Sequence, residues 1–185
     1  MKRIFIAVKV EPDKSLLAML STFKQALRND VIKWTDNANI HITLLFLGDT
    51  PEKRVKEIGS VLQQQCRGSG EFELVIRGSG VFKSPKDPRV IWAGIGPSEK
   101  MNKLHKILSQ KLRETGTELE ERSFNPHLTL GRVKKINDPA ILKVLLDEFR
   151  EKEIQRVRIS EIILYESILR PEGPIYKSLG KYSLM

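Results

Sequence analysis

Apolar residues repeat along this chain at two alternating spacings, and that alternation limits the folds open to it. Stretches with a period of two, typical of half-buried strands, alternate with stretches of period about 3.6, typical of amphipathic helices. Helices are predicted to begin near Asp13, Thr50, Ser98 and Asp138. Strands are predicted at residues 3–10, 31–34, 41–47, 72–83, 89–95, 127–134, 155–166 and 174–181. Strands and helices interleaved in this way predict a mixed α+β fold.

The size and composition exclude several classes of protein. A chain of 185 residues fits one compact domain, and 40% hydrophobic with 30% charged residues is a globular composition. The longest apolar runs, Ile4 to Val8 and Leu16 to Leu20, are far shorter than the ~20 residues that cross a membrane. The apolar stretch after Met1 is also too short for a secretory signal. With a single cysteine, Cys66, no internal disulfide can form. We therefore expect a cytoplasmic protein, with Cys66 filling the core at a helix end.

The net charge points to a polyanionic partner. The chain carries a formal charge of +9 at pH 7 and has a pI near 9.7. The excess is spread over both halves of the sequence, so there is no basic tail. Such a surface favours nucleic acid as a partner. The charge is equally consistent with a solvated surface rich in lysine and glutamate, as in heat-stable proteins.

One short pattern occurs twice, each time on a predicted strand. The copies are His41-Ile42-Thr43-Leu44 and His127-Leu128-Thr129-Leu130. Because successive side chains of a strand point to opposite faces, each histidine shares a face with the threonine two residues on. A single copy is typical of a satisfied polar pair at a sheet surface. Two copies that use two of only three histidines indicate a functional site.

Two imidazoles on either side of one phosphate can open an internal phosphodiester without a metal. In-line displacement at phosphorus needs a base beside the attacking water and an acid beside the departing alkoxide. Histidine, with an ordinary pKa near ~6.5, can serve as either, and each role contributes on the order of 10²- to 10⁴-fold. His41 and His127 are therefore the candidate catalytic residues. Thr43, Thr129 and Arg132 are candidates to bind the phosphate oxygens.

Arg132 and His105 need separate treatment. Arg132 lies five residues after His127, which places it on the opposite face of an ideal strand. We therefore expect a bulge or a strand end to turn it toward His127. His105 lies between Leu104 and Leu108 on the apolar face of a predicted helix, so we expect it to be structural. Four aromatic residues of predicted strands could stack on a base, although core packing is the more common role for such residues: Phe5, Trp34, Phe46 and Trp92.

The segments around both motifs resemble those of a known superfamily. The stretch Phe124-Asn125-Pro126-His127-Leu128-Thr129-Leu130-Gly131-Arg132, together with residues 39–48, closely resembles the two motifs of the 2H phosphoesterases. Within that superfamily the sequence is similar to the bacterial and archaeal RNA 2′,3′-cyclic phosphodiesterases, also called 2′-5′ RNA ligases or the LigT family. Residues 3–8, 90–94 and 167–179 also look like that family. The resemblance covers nearly the whole chain, without departure at the four motif positions.

The resemblance implies a fold and an activity. The fold is one bilobal α+β domain over residues 1–185, in which two antiparallel sheets backed by helices are related by pseudo-twofold symmetry around a central cleft. The activity is hydrolysis of RNA 2′,3′-cyclic phosphate ends to 2′-phosphomonoesters, with His41 as proton donor and His127 as proton acceptor. It also implies reversible joining of tRNA halves through a 2′-5′ bond. We expect no cofactor, no metal and no membrane partner, and a monomeric protein.

Two other functions are consistent with part of the sequence. A non-catalytic basic RNA-binding module would fit the charge equally well, but binding alone would more naturally use arginine and lysine than two matched histidines. A metallohydrolase with His41 and His127 as ligands would need further ligands. Three histidines, one cysteine and no metal-binding motif make that reading improbable.

Overall fold

The computed structural model describes residues 1–120, 123–171 and 173–185 and gives an α+β fold. Glu172, in the closing segment that resembles the family, lies outside the described residues. The helices are α1 (Lys14–Ala26), α2 (Glu52–Cys66), α3 (Glu99–Glu114) and α4 (Pro139–Glu148), with a short 3-10 helix at Asn37–Asn39. The strands are β1 (Lys2–Lys9), β2 (Val31–Trp34), β3 (His41–Thr50), β4 (Phe72–Ser84), β5 (Asp87–Ile95), β6 (His127–Lys135), β7 (Glu153–Ile159), β8 (Glu161–Ile168) and β9 (Ile175–Ser183).

Three of the four helices begin at side-chain caps that the sequence supplies. The Asp13 carboxylate accepts hydrogen bonds from the backbone N–H groups of Ser15 and Leu16, which α1 itself leaves unpaired. Ser98 and Asp138 cap α3 and α4 in the same way. These residues therefore fix where each helix starts and how the following apolar stripe is aimed.

The strands form one antiparallel sheet with two matching halves. Their order is β7-β4-β5-β6-β3-β1-β8-β9, and β2 pairs with β6 beside this path. One half is thus β7-β4-β5-β6 and the other is β3-β1-β8-β9. The two halves meet at β3 and β6, where Ile42 pairs with Leu128. This arrangement confirms the predicted fold class, with the two motif strands side by side at the centre.

One predicted element was wrong in its extent. The strand expected at residues 155–166 is two strands, β7 and β8, separated at Ser160. β7 pairs with β4 in one half of the sheet, whereas β8 pairs with β1 in the other. Leu184 donates its backbone N–H to the Ser160 carbonyl, so the crossing point is held by the end of the chain. No glycine or proline marks this break, and the apolar pattern continues through it.

The hydrophobic core lies on the face of the sheet that the helices cover. In β1, Ile4, Ile6 and Val8 belong to this core, whereas Phe5 between them points to the other face. Cys66 is fully buried at the end of α2, as expected, and burial raises the pKa of its thiol to about 12. The thiol therefore stays protonated at neutral pH. None of the helices in the described part of the chain is long and apolar enough to cross a membrane.

Candidate active site

The two motifs meet at the centre of the sheet. In the antiparallel register that pairs Ile42 with Leu128, each histidine lies opposite the threonine of the other motif. Ile42 and Leu128 are fully buried, whereas the histidines and threonines are only partly buried on the other side of the sheet. We call this side, which carries His41, Thr43, His127 and Thr129, the histidine face. The structure therefore brings the four predicted motif residues together.

Each motif strand has a bulge at the leucine that follows the motif threonine. The pairing of β6 with β5 shifts register between Gly131 and Thr129, which leaves Leu130 as the extra residue. The pairing of β3 with β1 shifts between Leu45 and Thr43, which leaves Leu44 as the extra residue. A bulge reverses the alternation of side chains beyond it. The two halves thus repeat the same irregularity at the same motif position.

The bulge at Leu130 brings Arg132 to the histidine face, as the parity of the strand requires. Beyond the bulge Gly131 and Val133 are buried, and Arg132 between them is exposed. Its charge lowers the pKa values of both His41 and His127, so the guanidinium acts on the site. Phe46 has the equivalent position in β3, five residues after His41, and is 58% exposed. The near-symmetric site is therefore cationic on one side and aromatic on the other.

Both catalytic candidates are held in the same tautomer. The Nδ1 of His41 lies 2.6 Å from the carbonyl oxygen of Asn39, and the Nδ1 of His127 lies 2.8 Å from that of Asn125. A carbonyl oxygen only accepts hydrogen bonds, so Nδ1 must carry the proton in each ring. Nε2 is then the nitrogen left to exchange protons with a substrate.

Different contacts support the two carbonyls. Asn39 ends the 3-10 helix, which Asp36 caps by accepting from the N–H of Ala38, and its side-chain amide donates to the Pro174 carbonyl at 3.4 Å. Asn125 lies in an irregular segment, next to Phe124. The Phe124 ring stacks on His105 of α3, with ring centroids 4.0 Å apart. His105 thus lies outside the motif strands but contacts the segment that holds His127.

Aromatic rings enclose the two imidazoles. His41 packs against Phe5, 5.1 Å between centroids, and meets Tyr176 edge-on, also at 5.1 Å. His127 meets Phe82 edge-on at 4.7 Å. These rings restrict the rotation of the imidazoles and exclude water from one side of each.

The electrostatic surroundings favour the neutral form of both histidines. Burial is the main influence on His41 and lowers its pKa. The hydrogen bond to the Asn39 carbonyl raises that pKa, whereas the charges of His127 and Arg132 lower it further. Burial also lowers the pKa of His127, against the Asn125 carbonyl, and Arg132 adds to the lowering. A bound anion would act in the opposite direction, because a nearby negative charge favours the imidazolium.

The remaining groups of the site are donors without protein acceptors. Within the described ranges, the hydroxyls of Thr43 and Thr129 make no hydrogen bond to another residue, and neither does the Arg132 guanidinium. The same part of the chain contains no cluster of three or more side chains suited to a metal ion. The arrangement can therefore supply two proton-exchanging nitrogens, two hydroxyl donors and one guanidinium to a single anion.

Some residues of the site were not predicted from the sequence. Asn39 and Asn125 each stand two residues before a motif histidine, so the repeat extends to Asn-x-His-x-Thr-Leu. That match was a usable signal. No comparable signal marked Tyr176 or Phe82, because they come from strands distant in sequence. Of the four aromatic candidates, Phe5, Phe46 and Trp92 lie at the site, Trp92 opposite Thr129 and against Phe82, whereas Trp34 packs against the core.

One cavity lies away from the motif site. A space of about 720 Å³ opens between α2 and the β8-β9 hairpin and is lined by Lys56, Gly59, Leu179 and Tyr182 among others. It holds neither motif histidine and no cluster of titratable groups. The motif residues lie instead on the partly buried histidine face.

The chain is similar to known proteins in both sequence and fold. The model of the 2′-5′ RNA ligase superfamily matches residues 6–168. A Methanothermobacter thermautotrophicus protein named RNA 2′,3′-cyclic phosphodiesterase is 35% identical over 184 residues, 98% of this chain and 98% of its own length. An Aeropyrum pernix protein of the same name is 38% identical over 150 residues, 80% of this chain and 84% of its own length. The crystal structure of a Thermus thermophilus protein superimposes with a TM-score of 0.80 at 26% identity, covering 98% of this chain and 97% of that one.

Proposed function

The chain belongs to the 2′-5′ RNA ligase superfamily, and from this membership we propose that it hydrolyses RNA 2′,3′-cyclic phosphate ends to 2′-phosphomonoesters. The relatives named above carry RNA 2′,3′-cyclic phosphodiesterase as their name. The observation that carries the proposal is the matched pair of Nδ1–H tautomers, which leaves Nε2 of His41 and of His127 free for proton transfer. A surface that only bound phosphate would not need two such nitrogens.

The reaction divides between the two histidines. Nε2 of His127 accepts a proton from water as the water oxygen bonds to phosphorus, in line with the departing 3′ oxygen. The bond from phosphorus to that oxygen breaks, and Nε2–H of His41 donates its proton to it. The product carries a 3′-hydroxyl and a 2′-phosphate, and exchange with solvent restores the two protonation states. His41 must start protonated, and the negative charge of the bound phosphate opposes the effect of burial on its pKa.

Negative charge grows on the non-bridging oxygens as water attacks. Thr43 and Thr129 donate their hydroxyls to these oxygens, and Arg132 adds charge-assisted hydrogen bonds. These donors are already in place because two rigid strands hold them, so little reorganisation accompanies the reaction. The exposed ring of Phe46, which packs on the buried Phe5 beside His41, offers an apolar surface for the terminal nucleoside.

The same pair of histidines can join RNA ends. If a ribose 5′-hydroxyl replaces water as the nucleophile, His127 accepts its proton and the 3′ oxygen leaves as before. The product is a 2′-5′ phosphodiester, so two tRNA halves would be joined, and the reverse reaction separates them.

No cofactor takes part, because the strained cyclic phosphate supplies the driving force. Both histidines come from one chain, so the protein is complete as a monomer, acting in the cytoplasm.

The test uses an RNA oligonucleotide with a 2′,3′-cyclic phosphate end, with product phosphates located by chromatography. His41→Ala and His127→Ala should each lower turnover by at least ~10²-fold. Lys143→Ala, at an exposed position of α4 away from the site, should leave turnover unchanged. Near wild-type turnover in either histidine variant would refute the two-histidine mechanism.

Two further measurements separate the alternatives. If the wild-type protein binds the oligonucleotide but never opens the cyclic phosphate, it is a binding module. Activity should survive an excess of EDTA, because the histidines carry out the proton transfers. Loss of activity with EDTA, followed by recovery on addition of a divalent metal, would instead indicate a metallohydrolase.

A further inference from the structure

A second basic residue faces the site next to Arg132. Lys33 of β2 lies directly opposite Arg132 of β6 in the antiparallel register. Its neighbours Ile32 and Trp34 pack against the core, so Lys33 lies on the other side of the sheet, the histidine face. Directly opposed side chains lie about 5 Å apart at Cβ, where like charges repel. Nothing in the fold itself explains why two cations stand here together.

Among the residues that the structure describes, no carboxylate pairs with either cation. In residues 1–120, 123–171 and 173–185, neither Lys33 nor Arg132 makes an ion pair or a hydrogen bond with an acidic side chain. On the outer strands, by contrast, Arg156 pairs with Glu73 and Glu153. Burial raises the pKa of Tyr176, and the positive charges of Arg132 and of Arg3, which lies on the same face of β1 as Phe5, act against that rise. The positive charge of the site is thus left for an anion from outside.

The loop before β9 defines where the Lys33 ammonium lies. Gly173 has a φ of +147°, and a Cβ atom there would come within 3.4 Å of both Cε and Nζ of Lys33. The positive φ favours glycine here, and the van der Waals distance from the Cβ position to Lys33 shows that the lysine lies beside the loop that leads to Tyr176. Tyr176 contacts His41, so Lys33 lies at the edge of the same site.

Resting on the proposed function, we propose that Lys33 binds the internucleotide phosphate that precedes the terminal nucleotide of the RNA, while Arg132 beside it contacts the cyclic phosphate. Along β6, Arg132 lies beyond Thr129 by roughly 7 Å or somewhat more, two strand steps plus the bulge, so a second phosphate fits beyond the cyclic one. The equivalent position on the other half is Phe46, which carries no charge. The terminal base therefore lies toward Phe46 and the chain leaves toward Lys33. The protein thus prefers oligonucleotide ends to free cyclic mononucleotides.

The test compares kcat/KM on a 2′,3′-cyclic mononucleotide and on a trinucleotide with the same cyclic terminal nucleotide. Lys33→Met keeps the aliphatic length of the side chain and removes the charge. It should lower kcat/KM on the trinucleotide about tenfold, the loss expected for one charged hydrogen bond, and reduce the advantage of the trinucleotide over the mononucleotide by nearly as much. Lys33→Arg should keep that advantage. Lys143→Ala, on the exposed side of α4, is the matched control and should change neither substrate.

A modified substrate identifies the phosphate. Replacing the internucleotide phosphate next to the terminal nucleotide by a neutral methylphosphonate should lower kcat/KM of the wild-type protein about tenfold. The same replacement should lower kcat/KM of Lys33→Met only slightly, because that variant has already lost the contact. Salt gives an independent measure, because each contact to a single-stranded phosphate contributes about 0.7 to the slope of log K against log salt. For binding of the trinucleotide, the slope measured with Lys33→Met should therefore be smaller in magnitude by about 0.7 than the slope measured with the wild-type protein.

Several outcomes would overturn the assignment. Equal losses on both substrates would make Lys33 a general electrostatic or structural residue. Additive effects of Lys33→Met and the methylphosphonate would mean that the lysine and this phosphate do not meet. If the wild-type protein opens neither cyclic substrate, the proposed function itself fails. If it opens both and Lys33→Met leaves the trinucleotide advantage intact, only the second phosphate site fails.

Discussion

The imidazole of His105 lies flat on the ring of Phe124, with centroids 4.0 Å apart and 5° between the planes. Phe124 precedes Asn125, whose carbonyl accepts the Nδ1–H of His127. The stack therefore connects α3 with the residue that determines the tautomer of a catalytic candidate. His105 was expected to be structural, and the contact shows which segment it supports, the one that contains Phe124 and Asn125.

This contact makes His105 a positioning residue. His105→Ala should lower kcat by less than about tenfold, well short of the loss for His127→Ala. Because the Asn125 carbonyl raises the pKa of His127, a looser segment should move the acid limb of the pH profile to lower pH. His105→Phe keeps an aromatic stack and should restore both. If the acid limb of the pH profile does not move in His105→Ala, the stack does not position His127.

The pH dependence should reveal two histidines with lowered pKa values. The profile of kcat/KM reports the free enzyme, in which burial lowers both pKa values below the ordinary 6.5. Activity falls at low pH when the base His127 gains a proton, and at high pH when the acid His41 loses one. The optimum of kcat/KM should therefore lie below pH 6.5, and that of kcat at higher pH, because bound phosphate raises both values.

Arg132 offers a check on the cause of these shifts. Its positive charge lowers the pKa of each histidine, so Arg132→Gln should move the kcat/KM profile to higher pH even as its height falls. Position and height are separate readouts. An unmoved profile would mean that the guanidinium does not act on the imidazoles.

The threonine hydroxyls should contribute less than the histidines. Thr43→Val and Thr129→Val keep the shape of the side chain and remove one donor each, which should cost about ten- to a hundredfold in kcat/KM. Thr43→Ser and Thr129→Ser keep the donor and should retain most activity. If valine and serine variants lose equally, the methyl group and not the hydroxyl matters at that position.

A sulfur substitution should distinguish the acid from the base. A 3′-thio cyclic substrate releases a thiolate, which leaves readily without protonation. His41→Ala should then recover much of its lost rate, whereas His127→Ala still lacks its base. Recovery of His127→Ala instead would reverse the two roles. Recovery of neither would mean that both residues chiefly position the phosphate.

The sequence predicted the parts of the site that depend on local pattern. Alternation along a strand sufficed to put His41 and Thr43 on one face, and parity predicted that a bulge or a strand end turns Arg132 toward it. Both follow from residues within a few positions of one another.

Other parts depend on contacts between distant segments. The carbonyls that hold the two imidazoles are main-chain atoms, so the repeated asparagines mark where they are but do not reveal their hydrogen bonds to Nδ1. The break at Ser160 arises because β7 and β8 pair with opposite halves of the sheet, which no local pattern records. Tyr176 and Phe82 reach the histidines only through the order of the strands.

The seam between the halves also has a mechanical consequence. Because β3 and β6 are joined by the pair Ile42 and Leu128, a rotation of one half against the other would have its axis along that seam. Displacement in a rotation grows with distance from the axis. Strands β7 and β9, at the two ends of the order, would therefore travel furthest, while the two histidines beside the seam would hardly move. Such a rotation would move the outer strands while the two histidines keep their spacing.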